Sequence, residues 1–310
     1  METPAHVNEI VFEGDAIKIG RWRLPAAHPR FRDSGPTKHY LVVFPRTSAW
    51  IGHAGSQPFV ADASLVTYYN RDQEYTRGVI APAGDWCEYY AVDPGLLRQV
   101  VAEWDPAATD RPHRILGFSH GPSDTQAYLA QRSVYSHVRS NPAPDPLFVE
   151  ETMIGVLARV IGLAYAEQRV RPADRPDVVE HTREIIARRY ASPLTLAALA
   201  SETNTSVFHL CRMFRARTGT TIHAYRNQLR LRAALHALLD SRADLTAVAL
   251  ALGYSSHSHF TAAFGAAYGV TPSLVRRANT CRRMPPSTSF RDRSTAPRTG
   301  APCRRRDATT

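Results

Sequence analysis

Histidine, cysteine and arginine are the side chains with which this 310-residue chain could do chemistry, and their spacing separates one chemistry from another. His257 and His259 form a His-x-His pair, which invites a metal. The surrounding residues predict a helix there, and on a helix positions i and i+2 do not share a side, so no metal is expected. His39, His53, His113 and His120 stand alone. The cysteines are Cys87, Cys211, Cys281 and Cys303, with no Cys-x-x-Cys spacing, so neither a disulfide framework nor a zinc knuckle is expected. No acid/base pair, nucleophile triad or metal set can be assembled from the sequence. The reading is therefore of a chain that is not an enzyme and needs no cofactor.

Arginine is left, and it is unevenly placed. The formal net charge is +10. Residues 1–174 carry 17 Lys and Arg against 20 Asp and Glu, a net of −3. Residues 175–278 carry 13 Arg against 6 acids, and residues 279–310 carry 8 Arg against 2 acids. All the excess positive charge lies beyond residue 174, which points to a polyanionic partner for the C-terminal region alone.

Inside this basic region, a pair of segments shares one plan. Leu196-Ala-Ala-Leu-Ala200 leads through Thr203-Asn204-Thr205 to Phe208-His-Leu-Cys-Arg-Met-Phe214, and Val248-Ala-Leu-Ala-Leu252 leads through Gly253-Tyr254-Ser255 to His259-Phe260 and Phe264. Each is a short helix, a three-residue turn and a second helix. The turn needs a residue that tolerates positive φ; Gly253 supplies it in the second copy and Asn204 in the first. Ser206 and Ser256 open the two second helices 50 residues apart. The helix between the copies, about 18 residues or roughly 27 Å long, is a rigid spacer that could set two helices into successive major-groove turns about 34 Å apart.

These blocks resemble the AraC/XylS transcriptional regulators. The resemblance covers about residues 178–277 and rests on Thr195-Leu-Ala-Ala-Leu-Ala200, Ser206 to Phe214 with Thr218-Gly219 following, Leu229-Arg-Leu-Arg-Ala233, Ala249-Leu-Ala-Leu-Gly-Tyr254, Ser258-His-Phe260, Phe264 and Tyr268-Gly-Val-Thr-Pro272. It implies a sequence-specific DNA-binding transcription regulator with double-stranded operator DNA as partner, RNA polymerase as a further contact, a homodimeric state and an N-terminal cupin-like domain controlled by a small-molecule effector. By the same resemblance the base-contacting positions fall on Val207, Phe208, Cys211 and Arg212 in the first copy and on His257, Ser258, His259 and Thr261 in the second. Arg212 can bond a guanine bidentately, and Phe208 can pack on thymine methyls. The position after Thr261, often Arg in the family, is Ala262, so the second copy is expected to read sequence weakly. Cys211 suits a base contact or a half-buried thiol equally. Arg230 and Arg232, on the linking helix, suit an ion pair or a phosphate contact equally. Phe214, Phe260 and Phe264 are expected in the core.

The elements that must position these residues follow from periodicity. Residues 1–122 read as a β-rich, cupin-like sensor domain, with short strands at Tyr40–Phe44, Ala49–Ile51, Ser64–Tyr69 and Trp86–Val92 that suit a small sandwich or barrel. Tyr68, Tyr69, Trp86 and Tyr89 are aromatic enough to line an effector pocket, although alternate strand residues must point apart. Metal-dependent cupin enzymes use a His-x-His with a carboxylate and a further His, a pattern absent here, so the alternative of a cupin-type enzyme with an appended DNA-binding module ranks below an effector-free dimeric regulator. Asp93-Pro94 opens a helix. Residues 123–170 read as a helical dimerisation segment: the helix at about Pro146–Gln168 carries Val149, Met153, Val156, Leu157, Val160, Ile161 and Ala164 on one broad face that must be buried on something. Residues 171–176 read as a linker and residues 177–278 as an all-helical DNA-binding domain with two helix-turn-helix units joined by a long helix. Residues 279–310, rich in Arg, Pro, Ser and Thr, read as a basic tail without fixed structure. Neither a signal peptide nor a membrane span is expected, and the cytoplasm is the default compartment.

The tail carries Arg304-Arg305-Arg306 and no base-reading pattern. Deleting residues 281–310 is expected to weaken binding to every DNA sequence about equally and to reduce the slope of affinity against salt. Fluorescence titrations at several salt concentrations check this; a changed sequence preference would contradict it.

Overall fold

The computed structural model describes residues 7–111, 113–170, 176–240 and 243–283. Among these residues nine strands come first: β1 (Val7–Glu13), β2 (Ile17–Leu24), β3 (Tyr40–Pro45), β4 (Ala49–His53), β5 (Phe59–Ala61), β6 (Leu65–Tyr69), β7 (Tyr75–Val79), β8 (Asp85–Val92) and, after a helix, β9 (His120–Pro122). They form a six-stranded antiparallel sheet in the order β1-β2-β8-β3-β6-β9 and a three-stranded sheet β5-β4-β7. The expected barrel is thus two open sheets packed face to face, not one closed cylinder.

Strand alternation decides what each face sees. Val43, Leu65, Tyr69 and Cys87 of the large sheet meet Ala49, Ile51, Phe59 and Ala61 of the small one. Tyr40, Val42, Phe44, Val66, Tyr68, Tyr90 and Val92 point the other way, onto helices. Those helices are α1 (Pro94–Ala102), α2 (Thr125–Ser140) and α3 (Pro146–Val170). Asp93 caps α1 through bonds from the Gly95 and Leu96 amides, with Pro94 at its first position.

The apolar face of α3 is spent inside the chain. Val149, Met153, Leu157, Val160 and Ile161 are fully buried in the core shared with the large sheet. The Tyr68 hydroxyl donates to the Val160 carbonyl at 2.9 Å. The expected dimerisation face is therefore corrected: the partner it required is the back of the sheet. Of the linker at 171–176, residues 171–175 lie outside the described residues, and Pro176 already begins a helix.

Among the described residues seven helices follow: α4 (Pro176–Arg189), α5 (Leu196–Glu202), α6 (Val207–Thr218), α7 (Ile222–Asp240), α8 (Leu245–Ala251), α9 (His257–Tyr268) and α10 (Pro272–Arg283). The last runs past the expected start of the tail; residues 284–310 lie outside the described residues. The first half of α7 packs with α4, α5 and α6 around Leu210, Phe214 and Tyr225. Its second half packs with α8 and α9 around Leu235, Leu238, Phe260 and Phe264, joined by Tyr128 from α2. All three expected core phenylalanines are fully buried.

The two units are built alike down to single bonds. Thr195 and Asp244 cap α5 and α8, and Ser206 and Ser256 cap α6 and α9 by accepting from the His209 and His259 amides. Asn204 sits at φ 50° and Gly253 at φ 79°. The Thr205 amide donates to Ala200 at 2.9 Å in one turn, and the Tyr254 amide to Ala249 at 3.0 Å in the other. Gly219 and Gly269 end α6 and α9 at φ 70° and 71°.

Met153→Arg is expected to cost about 3–5 kcal/mol by burying an unpaired charge, read by chemical denaturation; a folded protein that merely became monomeric would restore the dimer reading. Gly253→Ala is expected to cost about 2 kcal/mol or more, because a Cβ would meet the Ala191 carbonyl oxygen at 2.0 Å and φ is positive. Asn204→Gly, which has no such penalty, is expected to change stability by only a few tenths of a kcal/mol in the same melts.

Candidate nucleic-acid interface

The second helix of each unit is anchored by its buried side and presents the other to solvent. In α6, Leu210 and Phe214 are buried, while Val207 is 39% and Phe208 77% exposed. Arg212 and Arg215 are exposed, and Cys211 is half-buried. Positions 207, 208, 211 and 212 are one helical turn apart in pairs, so the four expected contact residues share one edge. Among the described residues Phe208 is the largest exposed apolar side chain of the helical unit, and none of them covers it. Cys211 packs at the rim of the first unit's core as a free thiol.

In α9, Phe260 and Phe264 are buried, and His257, Ser258 and His259 are exposed. His259 leans on its own unit: its Nδ1 lies 3.2 Å from the Ser255 hydroxyl and its ring 5.5 Å from that of Tyr254. Thr261 is half-buried, and its hydroxyl has no hydrogen-bond partner among the described residues. Shifted by 50 residues, Arg212 superimposes in sequence on Ala262, which is exposed and offers no polar atom. The first edge has a long bidentate donor at its centre and the second has only short groups there.

Among the described residues neither Arg230 nor Arg232 makes an ion pair. Arg230 donates from Nε to the Tyr190 carbonyl at 2.7 Å and lies over the Tyr254 ring. Arg226, which the sequence reading passed over, donates to the same carbonyl at 2.9 Å. Their positions four apart on one helix, facing the end of α4, were the available signal. Arg232 is 1% exposed and donates to the Ser123 carbonyl of the N-terminal unit.

The four aromatic residues proposed for an effector separate by strand parity. Tyr69 and Tyr89 line a cavity of about 420 Å³ between the two sheets. Tyr68 points into the helix-side core, and Trp86 stacks under Arg46 with 4.4 Å between guanidinium and ring; neither lines the cavity, and both assignments are corrected. Sequence reading missed Tyr75, Arg77, Asp85 and Cys87, which join Tyr69 and Tyr89 there. Arg77 bonds Asp85 at 2.6 Å; burial opposes its charge, but Asp85 together with Tyr75, Tyr69 and Cys87 more than compensates. Burial pushes the Tyr75 hydroxyl up to about 12 and the Cys87 thiol well above its usual value. His53, His113 and His120 line a separate cleft, and among the described residues no group of three His, Cys, Asp or Glu could hold a metal. His39 lines the cavity between the sheets. No helix among the described residues is long and apolar enough to cross a membrane.

Comparison with known proteins bears on residues 199–278, which match the family model of a helix-turn-helix domain. The HTH-type transcriptional activator RhaR of Escherichia coli (strain K12) is 26% identical over 174 residues, 56% of this chain and 60% of that protein. RhaR of Shigella dysenteriae is 26% identical over 228 residues, 68% of this chain and 79% of that protein. The chain thus covers about 60% of the length of the first of these relatives. Among solved structures, ToxT from Vibrio cholerae aligns over 85% of this chain and 98% of its own at 12% identity and TM-score 0.35. The C-terminal domain of AraT, a response regulator from Geobacillus stearothermophilus, aligns over 41% and 98% at 27% identity and TM-score 0.32. With both turns, both caps and both buried anchors in place, residues 199–278 are a helix-turn-helix domain, similar to that of the HTH-type transcriptional activators.

Proposed function

We propose that the chain binds operator DNA through the exposed edges of α6 and α9 and regulates transcription in response to a small molecule held between the two N-terminal sheets. The observation that carries the reading is the α6 edge: Phe208 at 77% exposure beside an exposed Arg212, on a helix locked in place by Leu210 and Phe214. Such an edge fits the major groove, where a guanidinium bonds guanine and an apolar ring meets thymine methyls. The spacer α7, 19 residues and so about 28 Å long, suits two edges set one groove turn apart.

The effector half of the reading is supported by the cavity of about 420 Å³, the size of a small-molecule site, whose wall mixes tyrosine hydroxyls with the Arg77–Asp85 pair. This favours an effector over a domain that only dimerises. A homodimer would engage two operator sites and present a surface to RNA polymerase. Leu147 and Phe148, 74% and 49% exposed at the start of α3, are apolar residues available for such a contact, unlike the buried face of that helix.

The two edges are expected to read unequally. A bidentate contact discriminates by about 1–3 kcal/mol, and hydroxyls and neutral imidazoles by less. Arg212→Ala is expected to erase most sequence preference over one half of the site, and His257→Ala to lower affinity modestly with little change in preference. Binding of each variant to a library with every base pair of a footprinted site randomised in turn is the measurement. Loss of a half-site's preference in His257→Ala with an intact profile in Arg212→Ala would reverse the assignment; no footprint on any DNA flanking the gene would remove it.

A further inference from the structure

The cleft that holds His53, His113 and His120 has a volume of about 640 Å³ and shares no lining residue with the cavity between the sheets. Its walls are the turn after β4, the turn between β6 and β7, the segment that leads into β9, and Gln168 of α3. Side-chain bonds tie these walls together. The Asn70 amide group donates to the Leu116 carbonyl and accepts from the Leu116 N–H, both at 2.9 Å. Gln73 accepts from the Asn70 N–H at 2.8 Å, and the Tyr68 N–H donates to the Ser119 carbonyl at 2.9 Å. His120 stacks on Phe59 with ring centroids 4.0 Å apart, and its Nδ1 lies 3.0 Å from the Ser119 hydroxyl. The cleft is therefore built before any ligand arrives, at a size usual for small-molecule sites.

Its charge is one-sided. Arg71 and Arg114 line it, and no Asp or Glu does. The Asn70–Leu116 bonds set the backbone at Arg71 beside the segment that carries Arg114. Arg71 has Asp72 at 3.6 Å, but the two side chains are 63% and 75% exposed, and a pair so open to water holds weakly. Arg114 is exposed and makes no ion pair or side-chain hydrogen bond among the described residues. His53, in the same lining, is 3% exposed and surrounded by the rings of Phe59, Tyr69 and Tyr75. Neither of its ring nitrogens has a hydrogen-bond partner among the described residues. Burial holds its pKa down at about 4, so near neutral pH it is uncharged and carries one N–H. A buried polar group without a partner is costly and calls for an explanation.

These observations select a ligand chemistry. Guanidinium groups only donate, and two of them without a counter-ion in the lining ask for more negative charge than one carboxylate brings. A phosphoryl group carries close to two negative charges and three strong acceptor oxygens. The cleft is much larger than a phosphate ion, and beside the arginines it offers the Gln57 and Gln168 amides, which suit hydroxyls. We infer that this cleft binds a small phosphate ester with a hydroxylated body, its phosphoryl group held by Arg71 and Arg114 with the His53 N–H at the base, and its hydroxyls on Gln57 and Gln168. The inference depends neither on the DNA reading nor on an effector between the sheets, since its readout is binding to the free protein.

The test is calorimetric titration of the full chain with glucose 6-phosphate and, as its uncharged counterpart, glucose, in a phosphate-free buffer. Glucose 6-phosphate is expected to bind saturably and glucose not to. Arg114→Gln, at an exposed position without side-chain partners, is expected to keep its circular dichroism and to bind glucose 6-phosphate at least about tenfold more weakly. Arg139→Gln, which removes the same charge from the exposed side of α2, is expected to bind as the unaltered protein does. His53→Phe, which keeps a ring among the aromatic neighbours and removes both nitrogens, is expected to fold and to bind about fivefold more weakly. Failure to saturate the unaltered protein by ~10 mM, glucose binding as tightly as its phosphate, or a loss in Arg114→Gln that is below tenfold or is matched by Arg139→Gln would each overturn the inference. Unchanged binding in folded His53→Phe would overturn it as well; should that variant fail to fold, the two arginine variants decide.

Discussion

A buried carboxylate, Glu88, is the point on which the arrangement of the molecule turns. It is fully buried on β8 and receives Arg46 at 2.9 Å and Arg132. Two guanidinium groups on one carboxylate would leave a net buried cation. Asp240, at the end of α7, supplies the missing charge by binding both arginines. The cluster is neutral only when the helical unit is docked. Trp86 lies under Arg46 and edge-on to His236, closing the contact against water. A second cluster repeats the logic: Asp62 beside β5 accepts from Tyr225 of α7 and from Arg183 of α4, and Glu180 of α4 accepts the Val60 amide at 2.8 Å. Removing one member of such a set strands the rest without water or partner, which is why these contacts fix an orientation more firmly than their number suggests.

What could be read from sequence and what could not divides along the same line. The helix-turn-helix units were legible because everything that makes them is local: serine and threonine caps, a residue tolerant of positive φ in the turn, glycine after the second helix, and phenylalanines at helical spacing. Asn204 and Gly253 adopt the backbone their types suggested. The sheet region was legible in kind, but Tyr68 and Tyr69 show the limit. They are neighbours in sequence on opposite faces, and only strand pairing decides which face meets the small sheet and which meets α3. The broad apolar stripe of α3 announced that it needed a partner and carried no mark of which one. Arg232 looked like any other arginine on a long helix, because its burial depends on a loop more than a hundred residues earlier.

The two units also show how alike local structure can be while chemistry diverges. Caps, turns, closing glycines and aromatic anchors recur at an interval of 50 residues. The exposed edges do not recur: Phe208 and Arg212 answer to Ser258 and Ala262. Residues that hold each helix down are constrained by packing density, whereas those on the outer edge are constrained only by what they touch.

The end of α4 has a mechanical consequence. The carbonyls just beyond it serve both halves of the helical unit: Tyr190 accepts from Arg226 and Arg230, Ser192 accepts from Arg226, and the Ala191 carbonyl lies so close to Gly253 that no side chain fits between them. The turn of the second unit is therefore pinned to the helix that begins the first. With α7 common to both, the two outer edges behave as the jaws of a calliper set at one gauge. On the proposed reading, in which these edges meet operator DNA, one base pair added between the two sequences shifts the second by about 3.4 Å and about 36° around the duplex. A pinned pair of jaws cannot follow that shift, so any tolerance of spacing must come from twisting or bending of the DNA, at a cost its own sequence determines.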